Sequence, residues 1–395
     1  MTLRVLSLYE GFFAGGARVL HTDVVAGLHD GVSQTHTVLS LSSRARREGT
    51  EQHLDEDARH RRLARAGVET VALSGTAGSD PFDPASFTEL DLRRAADAIA
   101  AADVVLSLKE QPLGLLLALR DHGLLPAVPV AACLHRSDPE HSGPALGWLT
   151  DAGRAGILGA TIACAVSTDD AYARHLPVSV ERHIVANGVD VARFTPGGLE
   201  ETDHTRRHLG IPLDAPIVLL AARFDPMKDP RLFLQAAALH SAVRSDTHFV
   251  MCGAGMTKEN PAFAALLADA GVDPARVHAL GIRDDMPAIH RLADIVALTS
   301  AFGEASPLCL LEGAASGATP VTTDVGDSAR EVAGFGVVTT RSAQDIAAAW
   351  GAVLEDRASL RHAALAARPA LSRERMLTEY RGVIERLARR ESIAA

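Results

Sequence analysis

Glu304 and Glu312, with seven residues between them, are the strongest sign of chemistry in this sequence. They lie in Gly303-Glu-Ala-Ser-Pro-Leu-Cys-Leu-Leu-Glu-Gly, behind an apolar run at 295–299 that predicts a buried strand. Ser306 before Pro307 predicts an N-cap followed by proline at the first helical position. The helix should run to Gly317 and carry Glu312 on the same side as Leu308, Leu311 and Ala315. A carboxylate in that company is costly to bury unless its oxygens are satisfied. Ribose hydroxyls would satisfy them, and the helix N-terminus would favour a phosphate. Hydrogen bonds to neighbouring backbone are the plainer alternative.

Arg223 and Lys228 follow the apolar run 217–221, where a strand-to-helix loop would present them at the edge of a sheet. A departing nucleoside diphosphate gathers negative charge, and two cations aimed at it would stabilise that charge. An isolated arginine and lysine are more often solvated surface charges; their position at a strand end favours the first reading. Gly15 and Gly16 follow the first apolar run and open a helix, so backbone could approach a ligand closely there. The pattern is not GxGxxG and carries no dinucleotide fingerprint.

Short apolar runs alternate with helical patterns from end to end, which predicts βαβ units around parallel sheets. The runs fall at 3–9, 36–41, 70–73, 104–108, 130–134, 160–167 and 183–185, then at 217–221, 248–252, 277–280, 295–299, 320–323 and 336–338. Pro196, Gly197, Gly198, Pro212 and Pro216 crowd the stretch between these two sets and predict a linker. We therefore expect two doubly wound domains, with ligands at the carboxyl ends of their strands. Met376, Tyr380, Val383, Ile384 and Leu387 are spaced as the apolar face of one closing helix.

Together these segments resemble glycosyltransferase family 4, the retaining enzymes of GT-B fold. Glu304 and Glu312 are similar to its paired-glutamate motif, and Arg223 with Lys228 to its basic pair at the donor diphosphate. Asn187-Gly-Val-Asp with Phe194 resembles its domain-junction segment. Leu280-Gly-Ile-Arg-Asp-Asp-Met looks like its nucleotide-side stretch, and Thr323-Asp-Val-Gly-Asp-Ser-Ala a variant found in some saccharide-building members. The resemblance covers 183–335 well and the first half loosely.

It implies an α/β GT-B fold: an acceptor-side Rossmann-like domain at 1–195, a nucleotide-sugar-binding one at 196–371, a cleft between them, and a helix at 372–395 returning to the first domain. It implies a catalytic set of Glu304, Arg223, Lys228 and His135. The donor would touch Gly16, Arg223, Lys228, Arg283, Glu304, Ser306, Pro307, Leu308 and Glu312. Within that set Glu312 would bind the ribose, Glu304 would sit near the reacting sugar, and His135 would face the sugar. The implied reaction moves a sugar, with retention, from a nucleoside-diphosphate sugar to a saccharide, lipid-linked saccharide or small-molecule acceptor, with no metal and no cofactor. The acceptor residues are not identified. Three departures bear on this: Glu304-Ala-Ser-Pro replaces the commoner Glu-Gly-Phe, Asp229 stands where glycine usually follows the lysine, and Leu108-Lys-Glu-Gln lacks the histidines often seen there.

Composition narrows the field. The formal charge of −10 over 395 residues opposes a nucleic-acid partner. Cys133, Cys164, Cys252 and Cys309 stand alone, as buried reduced thiols would. No signal peptide and no membrane-spanning run is evident, so a cytoplasmic protein is expected, with peripheral membrane contact left open. The 17 histidines include no HExxH, and Asp55-Glu-Asp57 lies in a charged stretch, 44–65, expected to be a solvated helix or loop. Another enzyme on the same architecture, an epimerase or phosphorylase, and a non-catalytic nucleotide-sugar-binding protein stay open as alternatives. A nicotinamide dehydrogenase is more distant, for want of the dinucleotide fingerprint.

Overall fold

The computed structural model describes residues 2–13, 15–47, 50–73 and 84–394. The chain forms two units, Met1–Ala186 with Met376–Ala395, and Asn187–Arg375.

The first unit contains β1 (Leu3–Tyr9), β2 (Gln34–Ser40), β3 (Arg44–Arg47), β4 (Thr50–His53), β5 (Glu69–Ala72), β6 (Val104–Leu108), β7 (Val130–Leu134), β8 (Ala160–Ala163) and β9 (Glu181–Ile184). Seven of them make one parallel sheet in the order β5-β2-β1-β6-β7-β8-β9. The central strands β6 and β7 are buried at every position because helices cover both faces. The edge strands β5 and β9 alternate instead, one face being more open. Strand order reverses between β1 and β6, which sets the ligand-binding edge of such a sheet at their carboxyl ends.

The second unit contains β10 (Ile217–Ala221), β11 (His248–Cys252), β12 (Val277–Gly281), β13 (Ile295–Leu298), β14 (Thr319–Thr323) and β15 (Val337–Thr339). They form a parallel sheet in the order β12-β11-β10-β13-β14-β15, with the reversal between β10 and β13. One side of this sheet is packed by Phe233, Phe249, Phe263 and Trp350, the other by Leu310, Leu311, Ala314 and Ala315 from the helix Leu308–Ser316.

The chain leaves the first unit before the proline-glycine stretch, earlier than position 195. Residues 187–194 belong to the second unit because Val189 donates its N–H to the Leu371 carbonyl at 2.9 Å and accepts from Arg373 N–H at 2.8 Å. Val189 and Phe194 are also part of that unit's core. The helix Arg373–Ala394 buries Met376, Tyr380, Val383, Ile384 and Leu387, the face that periodicity picked out, and from Met376 onward it belongs to the first unit.

Two expectations are corrected. The run 160–167 is not one strand: β8 ends at Ala163 and a helix, Val166–Ala173, follows with Asp169 in its first turn. The charged stretch 44–65 contains the expected helix, Ala58–Arg65, but ahead of it an antiparallel strand pair, β3 with β4. Asp57 is not solvated. It is fully buried, caps that helix by accepting from Arg59 N–H at 2.8 Å, and takes a second bond from Arg59 Nε at 2.6 Å. Those bonds satisfy the desolvated carboxylate, as burial requires.

Candidate active site in the second unit

The site begins with the turn after β10. Asp225 accepts from Met227 N–H at 2.9 Å and closes a short 3-10 turn, Pro226–Lys228. Thr299, at the end of β13, donates its hydroxyl to the carbonyls of both Lys228 and Asp229 at 3.1 Å. The Lys228 backbone is thereby tied to the neighbouring strand. Asp229 is left-handed, with φ 46°. That backbone explains why glycine suits this position, and aspartate compensates in two ways. Its Oδ1 caps the helix Pro230–Val243 by accepting from Leu232 N–H at 3.1 Å, and its Oδ2 accepts from Arg341 at 2.9 Å.

Lys228 Nζ donates to Glu304 Oε1, and Ser300 Oγ donates to the same oxygen. The lysine side chain is 15% exposed and the glutamate 5%. A buried carboxylate is thus neutralised and hydrogen-bonded by a residue from a different strand end. Gly326 lies against this loop at φ 61°, and a Cβ there would come within 1.8 Å of the Glu304 carbonyl oxygen. Only glycine fits that approach.

The helix Leu308–Ser316 follows, ending at left-handed Gly317 (φ 90°). Ser306 does not cap it. Pro307 occupies the N-cap position with no side-chain bond, and the Ser306 hydroxyl donates to Glu331 Oε1 instead. The first-turn N–H groups of Leu308 and its neighbours therefore receive no side-chain cap, and the helix dipole leaves positive potential beside Glu304. Glu312 is not sealed in apolar company: its side chain is 22% exposed, and Oε2 lies 3.2 Å from Nε2 of the fully buried His290. The two are close but not aligned for a hydrogen bond, and His290 Nε2 has no such partner among the described residues. His290 was not singled out from the sequence; it reaches Glu312 from an adjacent helix, a relation that spacing along the chain does not reveal.

The two cations have different partners. Arg223 is 56% exposed and stands 3.2 Å from Asp225. Arg283 is held by Asp285 in a two-pronged bond, Nε at 2.8 Å and Nη2 at 2.6 Å.

Two further candidates lie in the first unit. Gly16 opens the helix Gly16–Leu28, whose N-cap, Gly15, makes no side-chain bond. His135 follows β7, and its buried Nε2 has no hydrogen-bond partner among the described residues. Burial, with the nearby Lys109 charge, lowers its pKa to about 3, so the ring is neutral. Lys109, at the end of β6, has φ 67° and is lowered to about 8 by burial and by the charges of Arg18 and Arg136. Cys133, Cys252 and Cys309 are pushed up to about 12 by burial, which keeps them as thiols.

Residues 215–356 match the family model described as Glycosyl transferases group 1. That stretch is similar to the group 1 glycosyl transferases. It takes in Arg223, Lys228, Arg283, Glu304 and Glu312. Among curated proteins, D-inositol 3-phosphate glycosyltransferase of Corynebacterium kroppenstedtii is 35% identical over 145 residues, 35% of this chain and 32% of that protein. The Salinispora arenicola protein of the same name is 35% identical over 161 residues, 38% of this chain and 35% of its own. The match thus spans about a third of these relatives' length. Among solved structures, Anabaena Alr3699/HepE in complex with UDP-glucose has a TM-score of 0.77 at 19% identity, covering 98% of this chain and 99% of that one. Sucrose-phosphate synthase of Thermosynechococcus elongatus has a TM-score of 0.74 at 15% identity, with 100% of both chains covered. The fold class is GT-B. Among the described residues no helix is long and apolar enough to cross a membrane.

Proposed function

We propose that this protein is a retaining glycosyltransferase that moves a sugar from a nucleoside-diphosphate sugar to a saccharide, lipid-linked saccharide or small-molecule acceptor. The observation that carries the reading is the buried Lys228–Glu304 pair beside an uncapped helix N-terminus. Lysine has three N–H donors, so an ammonium held by Glu304 can still donate to a phosphate oxygen. Charge growing on the departing diphosphate then meets the ammonium and the first turn of the helix Leu308–Ser316 together. Glu304 is the carboxylate available to positive charge on the sugar ring. The partly open Glu312 suits ribose hydroxyls, with His290 beside it limiting its orientation. Arg223 and Arg283, held by the half-buried Asp225 and the exposed Asp285, can turn to the donor without breaking a fully buried pair. The relatives named as D-inositol 3-phosphate glycosyltransferases and the UDP-glucose complex of the Anabaena protein support a nucleotide-sugar donor.

On this reading no metal and no cofactor is needed, and the protein works in the cytoplasm. Melting the protein with UDP-, GDP-, ADP- and dTDP-sugars in EDTA tests it. One donor class should raise the melting temperature, by an amount that grows with ligand concentration. A donor that stabilises only after magnesium or manganese is restored would remove metal independence.

A further inference from the structure

Glu331 plays no part in the site described so far, yet it is tied to the loop that carries Glu304. The loop 304–306 is held from two sides. Asn187 Nδ2 donates to the Ser306 carbonyl at 2.9 Å. On the other side Thr323 Oγ1 donates to the Ser300 carbonyl at 2.8 Å, Asp327 N–H reaches the Ala305 carbonyl at 3.3 Å, and Gly326 lies against the Glu304 backbone. The one side-chain to side-chain bond from Ser306 in this arrangement runs from its Oγ to Glu331 Oε1.

We propose that Glu331 is a positioning residue of the donor site, which through Ser306 fixes the loop bearing Glu304 and the N-terminus of the helix Leu308–Ser316. The inference rests on the reading of Glu304 as the donor-site carboxylate. The charged and titratable groups around Glu331 are Asp327, Glu304 and Arg375, with the Ser306 hydroxyl on Oε1. Burial raises its pKa to about 8, the Asp327 and Glu304 charges add to the rise, and the Ser306 bond and Arg375 oppose it. At neutral pH the group is therefore an uncharged acid, with the second oxygen, Oε2, buried and unpartnered among the described residues. A neutral Glu331 holds the loop without adding a further negative charge beside Glu304 and an arriving diphosphate. As pH rises through about 8 that charge appears, and binding of a diphosphate weakens.

The test has a ligand-free arm and a UDP arm. In the ligand-free protein at one pH, Glu331→Ala should speed hydrogen exchange of the amides at 304–308 by about tenfold or more, while exchange in the helix Pro230–Val243 stays unchanged. Glu331→Gln, which can still accept from Ser306, should restore the slow rate. Should Glu331→Ala fail to fold, Ser306→Ala removes the same bond with less loss of volume and should show the same local loosening. In calorimetric titrations, UDP affinity of the wild type should fall about tenfold between pH 7 and 9.5, and Glu331→Gln should remove that dependence. Unchanged exchange at 304–308 in Glu331→Ala or Ser306→Ala overturns the proposal without reference to any ligand. An identical UDP pH profile in wild type and Glu331→Gln overturns it as well. Loosened exchange in a protein that binds none of UDP, GDP, ADP and dTDP at any pH supports the loop contact and sinks the donor reading instead.

Discussion

Removing the cationic end of the Lys228–Glu304 pair should cost more than removing both ends. Lys228→Met leaves the Glu304 carboxylate, 5% exposed, with only the Ser300 hydroxyl to compensate it. Breaking a buried pair in this way typically costs about 3–5 kcal/mol, because an uncompensated charge stays behind. For a unit of this size each kcal/mol shifts the melting temperature by about 2–4 °C, so a loss of roughly 6–20 °C is expected. Glu304→Gln should cost less, about 1–3 kcal/mol, since the amide oxygen still accepts from the ammonium. The double variant Lys228→Met/Glu304→Gln contains neither charge and should lie within about 1 kcal/mol of the milder single variant. The assay is a double-mutant cycle by thermal and urea unfolding of the purified full chain. Additivity of the two single effects within about 0.5 kcal/mol would show that the pair is not coupled, and the reasoning from burial would fail.

Three other outcomes follow from the same geometry. Asp229→Gly relieves the left-handed backbone while losing the cap and the Arg341 bond, so it should be nearly neutral, whereas Asp229→Ala keeps the strain and should cost about 2 kcal/mol in urea unfolding. His21 and His36 are fully buried, and burial, then neighbouring histidines, lowers both to about 3, so the unfolded chain takes up protons that the folded chain refuses. Their contribution is complete above the ordinary value of 6.5 and is lost as pH falls from there toward 3, at about 1.4 kcal/mol per pH unit for each; melting temperatures flat from pH 7 to 4.5 would contradict this. Glu312→Gln should raise KM for the donor with kcat nearly unchanged, and Glu304→Gln should lower kcat and kcat/KM together, so steady-state kinetics showing equal KM effects and intact kcat in both would remove the division between them.

Sequence patterning exposed what depends on continuous burial and hid what depends on distant pairing. β6, β7, β10 and β11 were legible residue for residue, because strands covered on both faces are near-continuous apolar runs. The β3–β4 hairpin was not, since its register rests on cross-strand charges such as Arg44 and Glu51, 2.9 Å apart, which read as a solvated stretch. Asp57 was expected to be solvated, but its burial depends on Arg59 folding back over it. In the candidate site, residue types and order pointed to Glu304, Glu312 and Lys228. They could not show that Lys228 meets Glu304 while Arg223 turns to Asp225, because that depends on which way each side chain leaves its loop. Ser306 followed a cap pattern, yet Glu331, far along the chain, competes for its hydroxyl and wins.

The central claim, retaining sugar transfer at the Lys228–Glu304 site, is tested most directly by the product of one reaction. The donor that most stabilises the protein, carrying an α-linked sugar, is incubated in EDTA with a panel of polyol and saccharide acceptors. Fresh product is read by proton NMR. The account predicts an α-linked product from wild type and a rate about a hundred- to thousandfold lower from Lys228→Ala, once that variant is shown to be folded. A β-linked product, or full turnover by Lys228→Ala, would contradict it.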